Sequence, residues 1–308
     1  MSLLEKKYTL AVENTEGVFF LSLCLKSETE RCSVLLHSNG TAFRFILLMS
    51  FTSIMFKQNL FKNKTVLVTG GGTGIGFEIA KQFLELGAEV YIASRKQEKL
   101  DKAVMDLKPC GAVKTFALDI RETTSISQLA DMIETQSGKL DILINNAGGQ
   151  FPSPAENISE NGWKAVINTN LNGTWFMIQE MAKRFFFKQN AGNIVNIVLN
   201  NYKGFPGMSH SAAARAGVMN LSKTLAIEWV NKGIIINCVA PGIIQSSGLE
   251  NYPPELLKGL SDKIPMKRLG TCAEVAELTL FIAASAYITG ETIYIDGGNR
   301  LWGDMWEI

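Results

Sequence analysis

The chain has 308 residues and is 46% hydrophobic, enough to bury a sizeable core as one α/β domain with an extension. A formal net charge of +1 excludes a strong basic or acidic field, so neither nucleic acid nor an anionic membrane is an expected partner. The five cysteines (Cys24, Cys32, Cys110, Cys238, Cys272) are dispersed, without a CxxC pair or metal-ligand spacing, which fits a reducing compartment and predicts no metal site.

Residues 1–55 show no helical or strand period matching the rest of the chain and read as a poorly specified N-terminal extension. Met55 stands at the head of a stretch long enough to form an enzyme by itself. The run GVFFLSLCL (17–25) has the hydropathy of a signal-peptide core, but glutamates precede it and no clear cleavage site comes after it. No run reaches the roughly 20 apolar residues of a bilayer crossing, so no stable membrane span is expected.

From Lys64 the pattern changes. TVLVTG (65–70) is a short β-rich run, and 74–86 is a helical stretch. AEVYIAS (88–94) reads as the second strand, a charged helix comes next, and VKTFALD (113–119) is the third strand. SISQLADMIETQ (125–136) is amphipathic, and LDILINNAG (140–148) is an apolar run ending in polar and small residues. Helical patterns flank GNIVNIVL (192–199), and IIINCVAPG (234–242) and ETIYIDGG (291–298) complete the series. Continuous apolar strands alternating with helices predict an α/β fold over 56–308: a doubly wound parallel sheet of Rossmann type, covered on both faces. Ligands in such sheets bind beyond the carboxyl ends of the strands, where the winding reverses.

TGGGTGIG (69–76) falls between the first strand and the first helix. Gly70, Gly74 and Gly76, with Thr73 and Ile75 among them, allow a tight turn and let a pyrophosphate approach the helix N-terminal amides. The placement predicts a dinucleotide site. Where a carboxylate would bind the ribose 2′-OH of NAD, the second strand ends in Ser94, Arg95 and Lys96. Their donors and positive charge suit a 2′-phosphate, so the expected cofactor is NADP(H).

TGxxxGxG at 69–76, NNAG at 145–148, TNLNGT at 169–174, PG at 241–242 and ITGETIYIDGG at 288–298 resemble, in order and spacing, the short-chain dehydrogenase/reductase family. The resemblance covers about residues 56–300 and implies an NADP(H)-dependent oxidoreductase. It implies that Asp119 and Ile120 flank the adenine and that Asn146, Ala147 and Gly148 line the cofactor cleft. Pro241 and Gly242 would lead to Ile244, whose backbone would meet the nicotinamide carboxamide. It also implies a homo-oligomer, a dimer or tetramer.

In that family a serine, a tyrosine and a lysine act with an asparagine on the preceding helix. Asn170 matches the asparagine, but the serine position falls on Val198 or Leu199, the tyrosine on Ser211 and the lysine on Arg215. Ser211 and Arg215 remain four apart on one helix face. A serine hydroxyl is a far weaker acid than a phenol, and arginine keeps its proton, so the usual relay is not expected. Arg215 is expected to hold ribose hydroxyls instead. Reduction of an α,β-unsaturated thioester fits such a site, because hydrogen-bond donors suffice to stabilise the enolate oxygen.

The stretches NNAGGQFPSPAENIS, GFPGMSHSAAARAGVMNLSKTLAIEW, NCVAPG and ENY resemble the peroxisomal trans-2-enoyl-CoA reductase branch, related to 2,4-dienoyl-CoA reductases. That resemblance implies NADPH-dependent reduction of the 2,3 double bond of a trans-2-enoyl-CoA, in fatty acid metabolism. Those relatives can carry a tyrosine where Met219 stands here, four before Lys223. Replacement donors are His210, which is alternatively a structural group at a helix start, and Tyr202, alternatively a surface aromatic. Ser211 is an oxyanion donor or a helix cap, and Asn200 and Asn201 are further polar candidates.

Residues 245–268, with two prolines and a short helical run, occupy the family's substrate-lid region, where Leu249, Leu256, Leu257 and Leu260 would cover an acyl chain or pack as an ordinary helix. Lys263, Lys267 and Arg268 would meet a CoA phosphate or stand solvated. Two other readings stay open. The tail GGNRLWGDMWEI resembles bacterial short-chain proteins linked to oxidation of terpenoid alcohols such as citronellol, and the missing tyrosine and lysine also fit a non-catalytic NADP-binding regulatory protein. The expected location is intracellular, peroxisomal by resemblance or cytoplasmic, although the C-terminal MWEI is not a Ser-Lys-Leu signal.

Overall fold

Tyr8–Thr15 (β1), Val18–Leu25 (β2) and Arg31–Leu36 (β3) form an antiparallel sheet with β2 in the middle. The sequence shows no strand period there because β2 is apolar at nearly every position, and a continuous apolar run has no period of two. The computed structural model describes these three strands by their backbone, and residues 56–249, 252 and 257–301 with their side chains. The chain divides into two units, Met1–Phe56 and Lys57–Ile308.

The second unit is built on Thr65–Thr69 (β4), all five residues of which are buried, as a strand covered on both faces requires. Parallel strands continue at Glu89–Ser94 (β5), Val113–Ala117 (β6), Ile142–Asn145 (β7), Gly192–Ile197 (β8) and Ile234–Pro241 (β9). A separate short pair, Ile244–Gln245 (β10) and Gly270–Thr271 (β11), precedes the last strand, Thr292–Ile295 (β12). The seven-stranded sheet runs β12-β9-β8-β7-β4-β5-β6, parallel throughout. Its winding reverses at β4, which lies between β5 and β7, so a crevice opens above the ends of β4 and β7. The fold is the doubly wound Rossmann type that the strand pattern predicts.

Gly74–Glu85 (α1) returns from β4 and buries Ile79, Ala80, Phe83 and Leu84, an apolar stripe at helical spacing. Truncating a fully buried phenylalanine such as Phe83 costs about 3–5 kcal/mol. Gln97–Leu107 (α2) and Thr123–Ser137 (α3) come next, α3 closing on Gly138 in the left-handed conformation. Glu160–Ile167 (α4), a π turn at Asn168–Asn172, and Gly173–Met181 (α5) run on as one helix, with Phe187–Gln189 (α6) at its end. Ser209–Trp229 (α7) packs on β9, and Cys272–Ala284 (α8) packs on α1. Leu67, Tyr91, Leu143, Met177, Phe186 and Trp229 belong to one core that joins the sheet to α5 and α7.

In the lid region the described residues include a 3-10 turn, Ser261–Lys263. Residues 250–251 and 253–256, which include Leu256, lie outside the described residues, as do 302–308 of the tail. Among the described residues no helix is long and apolar enough to cross a membrane.

Candidate active site

The turn after β4 needs its glycines for geometric reasons. Gly70 and Gly74 have φ of 68° and 58°, a region that side-chain-bearing residues rarely adopt. A Cβ on Gly76 would collide with the Gly70 carbonyl and with Nδ2 of Asn146. Thr73 caps α1 without a side-chain hydrogen bond, and no acidic residue occupies the helix's first turn. The N-terminal amides of α1 are therefore left for an anion.

Thr69 ties this turn to the next strand end. Its Oγ1 donates to the Ile144 carbonyl at 3.2 Å and accepts from the amides of Asn146 and Ala147, each at 3.0 Å. Asn146 Nδ2 donates back to the Thr69 carbonyl at 3.0 Å. Thr69 is a structural part of the site that the glycine pattern alone does not single out.

A cavity of about 590 Å³ lies over these elements. Gly76, Arg215, Pro241, Gly242 and Ile244, though expected at the cofactor, do not line it, whereas Gly70, Thr73, Gly74, Ile75, Ser94, Arg95, Lys96, Asp119, Ile120, Asn146, Ala147 and Gly148 do. Lys99, Arg121, Ser246 and Ser247 join them, although no motif in the sequence marks them. Arg121 pairs with Asp119 and holds its carboxyl below the usual carboxylate range. Ser94 Oγ is buried without a partner among the described residues, as a hydroxyl reserved for a ligand would be. A nicotinamide dinucleotide fits this donor set: a glycine cradle for the pyrophosphate, and an orphaned hydroxyl beside Arg95, Lys96 and Lys99.

Three sequence-predicted residues meet where the cofactor cleft deepens. A side chain at Gly148 would collide with Nη2 of Arg215 and come within 2.7 Å of Oδ1 of Asn170. Asn170 sits in the π turn, the helix irregularity that often marks a functional position. Its Oδ1 accepts from Gly149 N at 3.0 Å and its Nδ2 donates to Gly149 O at 2.8 Å. The amide is thus committed to shaping the 148–150 loop. Arg215 is buried, donates from Nη1 to the Ile197 carbonyl at 3.0 Å, and has its pKa lowered to about 10 by that burial.

The remaining donor candidates are disposed differently. Ser211 is fully buried, and its Oγ donates to Oε1 of Gln150 at 2.6 Å. His210 is also fully buried; its Nδ1 accepts from Ser211 N at 2.9 Å, its ring meets Phe151 edge-on, and its Nε2 has no partner among the described residues. Tyr202 is 65% exposed, rests edge-on against Tyr294, and stands outside this set of hydrogen bonds. Asn201 Nδ2 donates to Ala212 O at 3.3 Å, and Asn200 Nδ2 donates to Asp296 at 3.0 Å.

A second cavity, of about 930 Å³, adjoins Pro241 and Gly242. Gln150, Leu199, Asn200, Phe205 and Ile243 form part of its wall. The buried Ile244 lies behind, against Gly270 of β11. Lys203, Lys263, Lys267 and Arg300 ring the cavity, and Asp262 is the one acid among the described residues lining it. Arg300 is paired with Asp296. Arg268 is instead clamped by Glu274, whose carboxyl the guanidinium draws down to about 2.

A family model described as enoyl-(acyl carrier protein) reductase matches residues 70–300. A probable 2,4-dienoyl-CoA reductase of Bacillus subtilis is 39% identical, over 78% of this chain and 98% of that protein. A 3-oxoacyl-[acyl-carrier-protein] reductase of Chlamydia muridarum is also 39% identical, over 78% of this chain and 99% of its own length. Among solved structures, a citronellol catabolism dehydrogenase (AtuB) of Pseudomonas aeruginosa superposes with a TM-score of 0.72 at 38% identity, covering 80% of this chain and 98% of the other.

Proposed function

The chain belongs to the short-chain dehydrogenase/reductase family of NAD(P)-dependent oxidoreductases, and from that premise we propose that it reduces the 2,3 double bond of a trans-2-enoyl-CoA with NADPH. The observation that carries this reading is the cavity beside Pro241 and Gly242, with Lys203, Lys263 and Lys267 at its rim. Lysines around a pocket next to the cofactor cleft favour a substrate with a phosphorylated tail. The likeness to a dienoyl-CoA reductase supports the same substrate class.

NADPH rather than NADH is supported by Ser94, Arg95, Lys96 and Lys99 around the position of the ribose 2′ group, with no carboxylate at the end of β5. A reduced nicotinamide supplies hydride for Cβ of the substrate. Arg215 would hold the ribose hydroxyls with its positive charge, and Asn170 sets the 148–150 loop against it. What the protein must add is a donor at the thioester oxygen, where charge develops.

The test is a panel on the purified chain: NADPH with a trans-2-enoyl-CoA and with a 3-ketoacyl-CoA, and NADP⁺ with a terpenoid alcohol. Loss of NADPH with the enoyl thioester alone is the expected result. Turnover of only the alcohol would instead establish the second reading, an alcohol dehydrogenase, which the likeness to the citronellol catabolism enzyme favours. NADPH binding without turnover of any of them would leave a regulatory cofactor-binding protein.

A further inference from the structure

Gln150 is used at both ends of its amide. Oε1 accepts the hydrogen of Ser211 Oγ at 2.6 Å, and Nε2 donates to the phenol oxygen of Tyr252 at 2.7 Å. With the carbonyl end of the amide facing Ser211, the Tyr252 oxygen accepts from the Gln150 N–H. The phenol's own O–H is therefore left to donate elsewhere. Ser211, which stands at the family's tyrosine position, has its hydrogen engaged by Gln150. Asn170 is committed to Gly149 at both amide atoms. Gln150 itself lines the larger cavity together with Pro241 and Gly242.

We propose that Tyr252, held by Gln150, is the hydrogen-bond donor to the substrate's thioester oxygen. The phenol missing from α7 is thereby supplied from the 245–268 stretch, held beside the larger cavity by Gln150, which lines it. The assignment rests on the enoyl reduction proposed above. As hydride adds to Cβ, the π pair shifts towards the carbonyl, and the Tyr252 O–H meets the oxygen that gains charge. A proton from water then adds to Cα, the carbonyl re-forms, and Tyr252 keeps its hydrogen. Gln150 is a positioning residue in this scheme, because it orients the phenol through Nε2.

The test uses Tyr252→Phe in the full chain, with two readouts. In turnover of a trans-2-enoyl-CoA, kcat should fall about 100-fold or more, the typical effect of losing one such donor, while the KM for NADPH stays within about twofold. In the second readout, acetoacetyl-CoA is bound to the protein without reduced cofactor, and the near-ultraviolet band of its enolate is followed as pH rises. The wild-type chain should develop that band at lower pH than the free thioester, and Tyr252→Phe should lose the advantage. Gln150→Leu should reproduce both losses in part. A kcat within about threefold of wild type overturns the proposal, and so does a wild-type chain that gives no enolate advantage. A fall in kcat with an unchanged enolate band makes Tyr252 a lid contact only and overturns it as well. The enolate readout needs no turnover, so failure of the wild-type chain to reduce the enoyl thioester counts against the reaction and is read separately from the role of Tyr252.

Discussion

Arg215 gives its Nη1 hydrogen to the carbonyl oxygen of Ile197 at 3.0 Å, and among the described residues no carboxylate forms an ion pair with the buried guanidinium. Burial disfavours the charged form, which is why its pKa falls to about 10. At neutral pH the group is still a cation, so the folded chain carries a buried charge, without an ion-pair partner among the described residues, against Gly148 of the cofactor cavity. A fold tolerates such a cost where a ligand brings the missing acceptors.

Replacing Arg215 by Met should therefore separate stability from function. Removing the buried charge is expected to raise Tm by about 2–4 °C, even though the Ile197 carbonyl loses its donor. NADPH affinity, followed by quenching or enhancement of its fluorescence, should drop about tenfold or more. A variant with lower Tm and wild-type affinity would contradict the role given to Arg215.

The glycine cradle makes a steric prediction. In Gly76→Ala the new methyl meets the Gly70 carbonyl and the Asn146 amide, and either can yield only by disturbing the turn. The expected cost is about 1–3 kcal/mol in thermal or denaturant unfolding, together with loss of NADPH binding. Unchanged binding would mean that the turn does not face the pyrophosphate.

Arg95 tests the cofactor assignment. Arg95→Asp places a carboxylate where the ribose 2′ group is expected, repelling a phosphate and accepting from a hydroxyl. The ratio of kcat/KM for NADPH over NADH should fall about tenfold or more. An unchanged ratio would remove the basis for preferring NADPH.

The far end of the lid is anchored by Glu274, which binds Arg268 and closes a capping box with Thr271 at the head of α8. Arg268 is the main cause of its pKa of about 2, followed by the Thr271 backbone N–H. A carboxyl whose folded pKa is depressed contributes stability that is full above its unfolded pKa near 4.5 and lost as pH falls through about 2. Glu274→Gln should thus lower Tm at pH 7, and the gap from wild type should close between about pH 4.5 and pH 2. A gap independent of pH would show that the ion pair contributes nothing.

Much of the cofactor half is legible in the sequence because its signals are local. Gly70, Gly74 and Gly76 sit within one turn, Ser94 to Lys96 end one strand, and the apolar strands announce a covered parallel sheet. The substrate half is not legible for the opposite reason. Gln150 is 61 residues from Ser211 and 102 from Tyr252, and no period or spacing links such positions. Thr69 heads the TGxxxGxG motif, but only the fold shows that its hydroxyl holds three backbone groups. Asn170 and Arg215 are placed by motif order, but only the fold shows that one shapes a loop while the other is a buried cation. In the lid, the short helical run read with the two prolines falls in part on residues 253–256, outside the described residues.

The most direct test of the proposed reaction tracks the hydrogen. The purified chain is supplied with NADPH deuterated at the transferable position of C4 and a trans-2-enoyl-CoA, and the thioester product is analysed by mass spectrometry. The account predicts a saturated acyl-CoA carrying one deuterium, located at C3, formed in equal amount to the NADPH consumed. Recovery of unchanged enoyl-CoA, while a 3-ketoacyl-CoA supplied in a parallel reaction takes up the deuterium, would contradict it.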